Sequence, residues 1–366
     1  MASESSTVVS GYDSPRSHSS ACSHDTPSSC DLQVEEHDTS PDGVSIRLPD
    51  MFSSIMSVEP IVNQHYSSVK AETDTWIAEV FNLSAEQARK SSQADFAYMN
   101  AIWAPYANKE ALTVMVNWHQ WFDEGHLRND PVEAAKDIIY TLALLDDTHP
   151  YVSAEENPLR HVFQTTWYQI RKIRYKKRVR QYALAVLGQV GVKHDSRTIG
   201  VEEYMDLRRG SIGTYPSFSL VEYAHNIQIP QDILNHESIK TCEEVSSDLV
   251  ILVNDLLSYR KDIEQGVDHN ILTVLKYQGY TLQEAVDIVD QMIRGCYKKW
   301  YGALAELPIW GEKIDRQVLK YIEGCRNIAL GNLHWSYASG RYLGSEGPQV
   351  RETRVLHLPL RSDLQY

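Results

Sequence analysis

The sequence predicts an all-α fold, and three observations predict it. Apolar residues recur at spacings of three and four from about residue 46 onward, the period of a helix with one buried face. Helix start and stop signals bracket these stretches. No run alternates apolar and polar residues for long enough to ask for a sheet, and no fixed-period repeat is present.

The elements follow in order. Residues 1–45 hold 13 serines with Pro, Asp and His between them and few large apolar side chains. Such a segment cannot offset the entropy of folding, so a disordered Ser-rich tail is expected. Order is expected to begin near "IRLPDMF" (46–52), and one helical domain to run over 46–344. Within it, "VEAAKDIIYTLALLDD" (132–147) repeats Ala135, Ile138/Ile139, Leu142 and Leu145, with Pro131 suited to the first turn. "SSDLVILVNDLLSYRKDIEQG" (246–266) carries Leu249, Val253, Leu256 and Leu257 and stops at Gly266. "TLQEAVDIVDQMIRGCYKKWYGALAEL" (281–307) opens on a Thr-x-x-Glu capping box, Thr281 with Glu284. A long final helix or helix pair is expected over 313–343, and a loose tail or flap over 345–366.

Composition excludes several functions. The chain has 366 residues, 49 acidic against 35 basic, for a formal charge of −14. Nucleic acid is disfavoured as a partner because phosphate backbones need a basic face. The basic run "RKIRYKKRVR" (171–180) reads as a solvated helix surface or a lip attracting an anion. Cys22, Cys30, Cys242, Cys296 and Cys325 form no CxxC or zinc spacing, so reduced thiols are expected. No apolar run reaches the length of a membrane span. The N-terminal stretch lacks an apolar signal core. A cytoplasmic protein, monomeric or homodimeric, is the expectation.

The helix at 246–266 carries the strongest chemical pattern. Asn254, Ser258 and Asp262 are spaced four and four, which places an amide oxygen, a hydroxyl and a carboxylate on one stripe. Hard oxygen ligands of this kind suit Mg²⁺, which completes its shell with waters and phosphate oxygens. Lys261 stands beside Asp262 and offers a point charge to a phosphate. The same stripe on an exposed helix would be an ordinary polar face. Here it interrupts the apolar run "LVILVNDLLSY", where unpartnered polar groups cost free energy.

"NDLLSYRKD" resembles the NSE/DTE magnesium motif of class I terpene synthases, with Asp in the last place. "NLHWSYASGRYL" (332–343) is similar to that family's C-terminal segment ending in an Arg-Tyr pair, here Arg341 and Tyr342. "EEYMDLRRGSIGTYP" (202–216) resembles the segment with the diphosphate-sensing arginine, Arg208, with Arg209 as the neighbour that could take its place. The openings "IRLPDMF" and "NQHYSSVKAETDTWI" (63–76) look like the fungal branch. The resemblance spans roughly 46–344 and implies a helical bundle around a central active-site cavity. It implies ionisation and cyclisation of a prenyl diphosphate, most simply farnesyl diphosphate, with Mg²⁺ (three ions with bound diphosphate) as cofactor. Arg208, Lys261, Arg341 and Tyr342 would bind diphosphate, and Asn254, Ser258 and Asp262 would hold metal.

The family also carries an aspartate-rich motif on a facing helix. Here that place reads "VMVNWHQWFDEGHLRND" (114–130). Either Asp123-Glu124 is a DExx(D/E) motif whose last acid is Leu127, or Asp123 is the final acid of a DDxxD whose first two places hold His119 and Gln120. A third reading is a segment shortened by about seven residues, close to two helical turns. All leave Asp123 as the best ligand and Glu124 next. An atypical motif keeps open a second function, a relative with impaired or altered activity. Asp146-Asp147 reads as a solvated helix end, and His119, His126 and His149 as structural. Trp118, Trp121, Phe122, Tyr215, Phe218 and Trp335 lie in or near the motif segments.

Overall fold

The computed structural model describes residues 44–359, apart from 124–130, 147–148, 172 and 195–198. The serine tail, Cys22, Cys30, Glu124, His126 and Asp147 therefore lie outside the described residues. The described residues belong to one unit, within Thr39–Tyr366.

Helices dominate it. In chain order they are α1 (Tyr66–Val80), α2 (Ala85–Ala94), α3 (Phe96–Trp103), α4 (Lys109–Asp123), α5 (Pro131–Leu145), α6 (Pro158–Ile170), α7 (Ile173–His194), α8 (Val201–Ser211) and α9 (Thr214–Ala224). There follow α10 (Gln231–Leu234), α11 (Glu237–Glu264), α12 (Ile271–Tyr277), α13 (Leu282–Ala305), α14 (Glu312–Ala338) and α15 (Gly347–Thr353). Local chemistry sets their ends. The Thr281 capping box forms both arms: Thr281 N–H donates to Glu284 Oε2 at 2.8 Å and Glu284 N–H to Thr281 Oγ1 at 3.3 Å. Asn157 caps α6 by accepting from Arg160 N–H, with Pro158 in the first turn. Asp95 turns the corner between α2 and α3 at φ +47°, a conformation a short polar side chain tolerates, and accepts from Tyr98 N–H.

The core is organised on α11. Every residue from Val245 to Val253 is buried, so this helix is enclosed on all sides rather than amphipathic. It packs on α8, α9, α12, α13 and α14. On another side α4 packs on α1, α3, α6 and α9, so α9 touches both α4 and α11. Gly331 lets α14 take the Trp103 indole of α3 into close contact, since a Cβ there would lie 2.4 Å from its Cδ1.

Three expectations need correction. A sheet does exist, a two-stranded antiparallel ribbon of β1 (Val44–Arg47) and β2 (Val355–Leu358) with Ile46 opposite Leu356. Four residues are too few for alternation to register in sequence. The described residues after Gly344, 345–359, are not loose: Val350, Leu356 and Leu358 are buried, and Leu48 N–H donates to Arg354 O at 2.7 Å. Lastly, α14 ends at Ala338, so Arg341 and Tyr342 sit in the turn beyond it rather than on a helix.

Gly347 locks that C-terminal segment to α14, because a Cβ on it would lie 1.8 Å from Tyr337 O. Its backbone is helical, φ −47°, so propensity alone favours alanine by about 1 kcal/mol. Sterics against backbone wins that comparison. Gly347→Ala is expected to destabilise the protein by about 1–3 kcal/mol in urea unfolding; a stabilised variant would show that this contact does not exist.

Candidate functional site

The site grows from the middle of α11. Asn254, Ser258 and Asp262 lie on one stripe, and Ser258 Oγ donates to Asp262 Oδ2 at 2.5 Å, a direct reading of the four-residue spacing. Asn254 joins two other parts of the chain. Its Oδ1 accepts from the Arg208 guanidinium of α8 at 3.0 Å, and its Nδ2 donates to Tyr342 Oη at 2.7 Å. The amide orientation follows from the partners, because a guanidinium only donates. Arg341 Nε also donates to Tyr342 Oη, at 3.3 Å. The tyrosine oxygen therefore receives two N–H donors, which leaves its own O–H proton to donate onward. Lys261 Nζ lies 5.6 Å from the Tyr342 ring centroid. The structure thus brings Asn254, Ser258, Asp262, Arg208, Lys261, Arg341 and Tyr342 together.

Asp255, which the sequence reading did not single out, anchors this group. It is 1% exposed. One carboxylate oxygen accepts from Arg208 at 3.1 Å; the other accepts from the Tyr204 hydroxyl and from Ile271 N–H, the latter at 3.0 Å. Burial works against the charge of Arg208, but the Tyr204 and Asp255 partners outweigh it and hold the guanidinium firmly protonated. A signal was present: Asp255 is an acid inside an apolar run, one residue off the stripe and so turned about 100° from it. Tyr204 stands four residues before Arg208, on the same face of α8.

Arg209 does not share this role. It turns to the other side of α8 and grips Asp248 with two bonds, 2.6 Å from Nε and 3.0 Å from a terminal nitrogen. The basic run is engaged in ion pairs: Arg174 with Glu222, Arg178 with Glu243, and Lys176 and Arg180 with Asp146.

The facing helix is α4. It ends at Asp123, whose side chain lies outside the described residues, as does that of Phe122. One turn earlier His119 and Gln120 are buried. His119 is walled by Trp103 and Trp118, each edge-on with centroids 4.8 and 4.7 Å away, and by Phe96 at 6.2 Å. Phe96 stacks on Trp335, and the Arg341 guanidinium stands over both rings at 5.5 and 5.9 Å. Aromatic residues thus continue from α4 to the Arg341–Tyr342 turn. Phe218 is buried, and Trp121 and Tyr215 are partly so.

The donor chemistry fits a hard divalent ion. Among the described residues no group of three or more His, Cys, Asp and Glu gathers for a metal. The Asn254–Ser258–Asp262 set instead offers amide, hydroxyl and carboxylate oxygens beside cationic side chains, donor types that suit a hard divalent ion with an anionic ligand.

The chain is similar to known proteins. The family model "Terpene synthase family 2, C-terminal metal binding" matches residues 111–299. A protein named terpene cyclase 4 from Gibberella fujikuroi is 48% identical over 334 residues, covering 87% of this chain and 92% of its own length. A (+)-eremophilene synthase from the same organism is 43% identical, covering 87% of this chain and 94% of its own. In structure, an a-eudesmol synthase covers 77% of this chain and 98% of its own at TM-score 0.68; with 18% identity it speaks for the fold alone.

Burial pushes the His119 imidazole down to about 4, although the Met115 carbonyl, 2.8 Å from Nδ1, opposes this. A histidine folded in neutral form contributes stability that is full above its unfolded value near 6.5 and lost as pH falls toward 4. Urea unfolding of the wild type should therefore weaken between pH 6.5 and 4 by about 3 kcal/mol more than that of His119→Gln; parallel pH dependences would refute the buried neutral imidazole.

Proposed function

The chain belongs to the terpene synthase family and is a metal-dependent lyase acting on a prenyl diphosphate; from that premise we propose how its residues ionise farnesyl diphosphate and guide the cation to a sesquiterpene. The observation that carries the reading is the Asn254 amide, which ties Arg208 to Tyr342 and so gathers three distant segments at one point. Asn254, Ser258 and Asp262 of α11 would hold the metal, with Asp123, whose side chain lies outside the described residues, as the acid that α4 would add. Mg²⁺ held there, three ions with the diphosphate in our reading, would supply neutralisation of the charge that develops on the leaving group.

The chain's own cations complete that task. Arg208, kept charged and aimed by Asp255, donates N–H bonds to diphosphate oxygens. Lys261 and Arg341 bring two further charges, and the Tyr342 hydroxyl donates its remaining proton. These donors are preorganised at the place where negative charge appears, so they favour the ionised state over the intact ester. The C–O bond of the allylic diphosphate breaks, the electron pair leaves with diphosphate, and the cation remains among Phe96, Trp335, Trp103 and Trp118. Their faces stabilise positive charge, and their bulk excludes water that would quench it. Loss of a proton then yields the hydrocarbon.

No helix among the described residues is long and apolar enough to cross a membrane. We place the enzyme in the cytoplasm, as a monomer or homodimer.

With farnesyl diphosphate and Mg²⁺, the protein should release diphosphate and a volatile sesquiterpene detected by gas chromatography–mass spectrometry. A chelator should stop the reaction and added Mg²⁺ restore it. Asn254→Ala and Asp262→Ala are each expected to lower kcat/KM by about 10²-fold or more, ~3 kcal/mol in the transition state. Unchanged turnover in either variant would remove these residues from the site.

A further inference from the structure

We infer that Asn270, at the start of α12, is a positioning residue for the reaction: it fixes the Asp262 carboxylate and couples it to the Asp255–Arg208 pair. The inference rests on the reading above that Asp262 is a metal ligand. Asn270 is fully buried, 0% exposed, and uses both ends of its amide. Its Oδ1 caps α12 by accepting from Leu272 N–H at 3.0 Å. Its Nδ2 donates twice into α11, to Asp255 O at 2.8 Å and to Asp262 Oδ2 at 3.1 Å. The next residue, Ile271, donates its backbone N–H to the Asp255 carboxylate.

A helix cap requires the acceptor only. Ser or Asp at this position would cap equally well. The two amide donors are what set asparagine apart, and both are directed at α11. Their effect on Asp262 is specific. Ser258 and Asn270 both donate to Oδ2, so that oxygen is held from two sides and Oδ1 is the one the carboxylate can present to a cation. A carboxylate locked in this way loses less rotational freedom when it binds metal. Removing such a support characteristically weakens metal affinity by about 10–100-fold. Because Asn270 also grips the backbone of Asp255, one side chain keeps the metal ligand Asp262 in fixed register with Asp255, the anchor of Arg208, seven residues earlier on α11.

The test separates capping from positioning. Asn270→Ser keeps an N-cap acceptor and removes both donors. Calorimetry with inorganic diphosphate at a series of Mg²⁺ concentrations reads ligand binding without turnover. The full-length variant should need about tenfold or more Mg²⁺ for half-maximal diphosphate binding, while its metal-free melting temperature stays close to wild type. Steady-state kinetics should show the same Mg²⁺ shift at saturating farnesyl diphosphate. Should Asn270→Ser fail to fold, Asn270→Thr, which also keeps an N-cap oxygen without adding charge and lacks the amide, decides by the same titration. A Mg²⁺ requirement within twofold of wild type would overturn the inference and leave Asn270 as a cap. Absence of Mg²⁺-dependent diphosphate binding in the wild type would instead overturn the metal-site reading on which it rests.

Discussion

The site depends on one buried carboxylate. Asp255 sits within the enclosed helix α11 and is met by a guanidinium, a phenol hydroxyl and a backbone N–H, from α8 and from the start of α12. A charge at that depth is tolerable only when its oxygens are fully hydrogen-bonded. The packing of α8 and α12 on α11 is therefore also the satisfaction of Asp255. That same satisfaction sets the direction of Arg208, whose free reach is toward Asn254 and the face where the diphosphate would lie.

Around this anchor the chemistry is arranged by helix geometry. Asn254 reaches Tyr342 in the cationic turn; Asp255, one position on, faces the supporting helices. The alternation of working and supporting residues along α11 follows from the 100° step of the helix. The C-terminal segment is held by the β1–β2 ribbon and by Gly347 against α14, and this gives the Arg341–Tyr342 turn a fixed place although it lies beyond any helix. The aromatic contacts that run from Trp118 through His119 and Phe96 to Trp335 reach the same turn, where Trp335 meets Tyr342 edge-on.

Much of this was legible in the sequence, and the limits have physical causes. Helix positions were readable because caps such as Thr281–Glu284 act within one turn. The ligand stripe was readable because spacing by four needs only the helix period. Arg208 and the Arg341–Tyr342 pair could be assigned only through family resemblance, since their meeting with Asn254 spans 46 and 88 residues. The ribbon was invisible because its strands are four residues each and lie at opposite ends of the domain. Asp255 was overlooked because its partners Tyr204 and Ile271 are distant in sequence, and Asn270 because it reads as an ordinary cap. The segment from Asn117 to Leu127 stays the least legible: His119 and Gln120 take buried places where a metal-binding helix would carry acids, and Asp123, the last residue of α4, has its side chain outside the described residues.

The central claim, that Asp255 holds Arg208 in place, is tested most directly by a double-mutant cycle on folding stability. Urea unfolding of wild type, Asp255→Asn, Arg208→Gln and the double variant gives the coupling energy. For a buried, hydrogen-bonded charge pair the account predicts a favourable coupling of about 1–3 kcal/mol, the double variant losing less than the two single losses together. Additivity within about 0.5 kcal/mol would contradict it, because the two side chains would then stand independently.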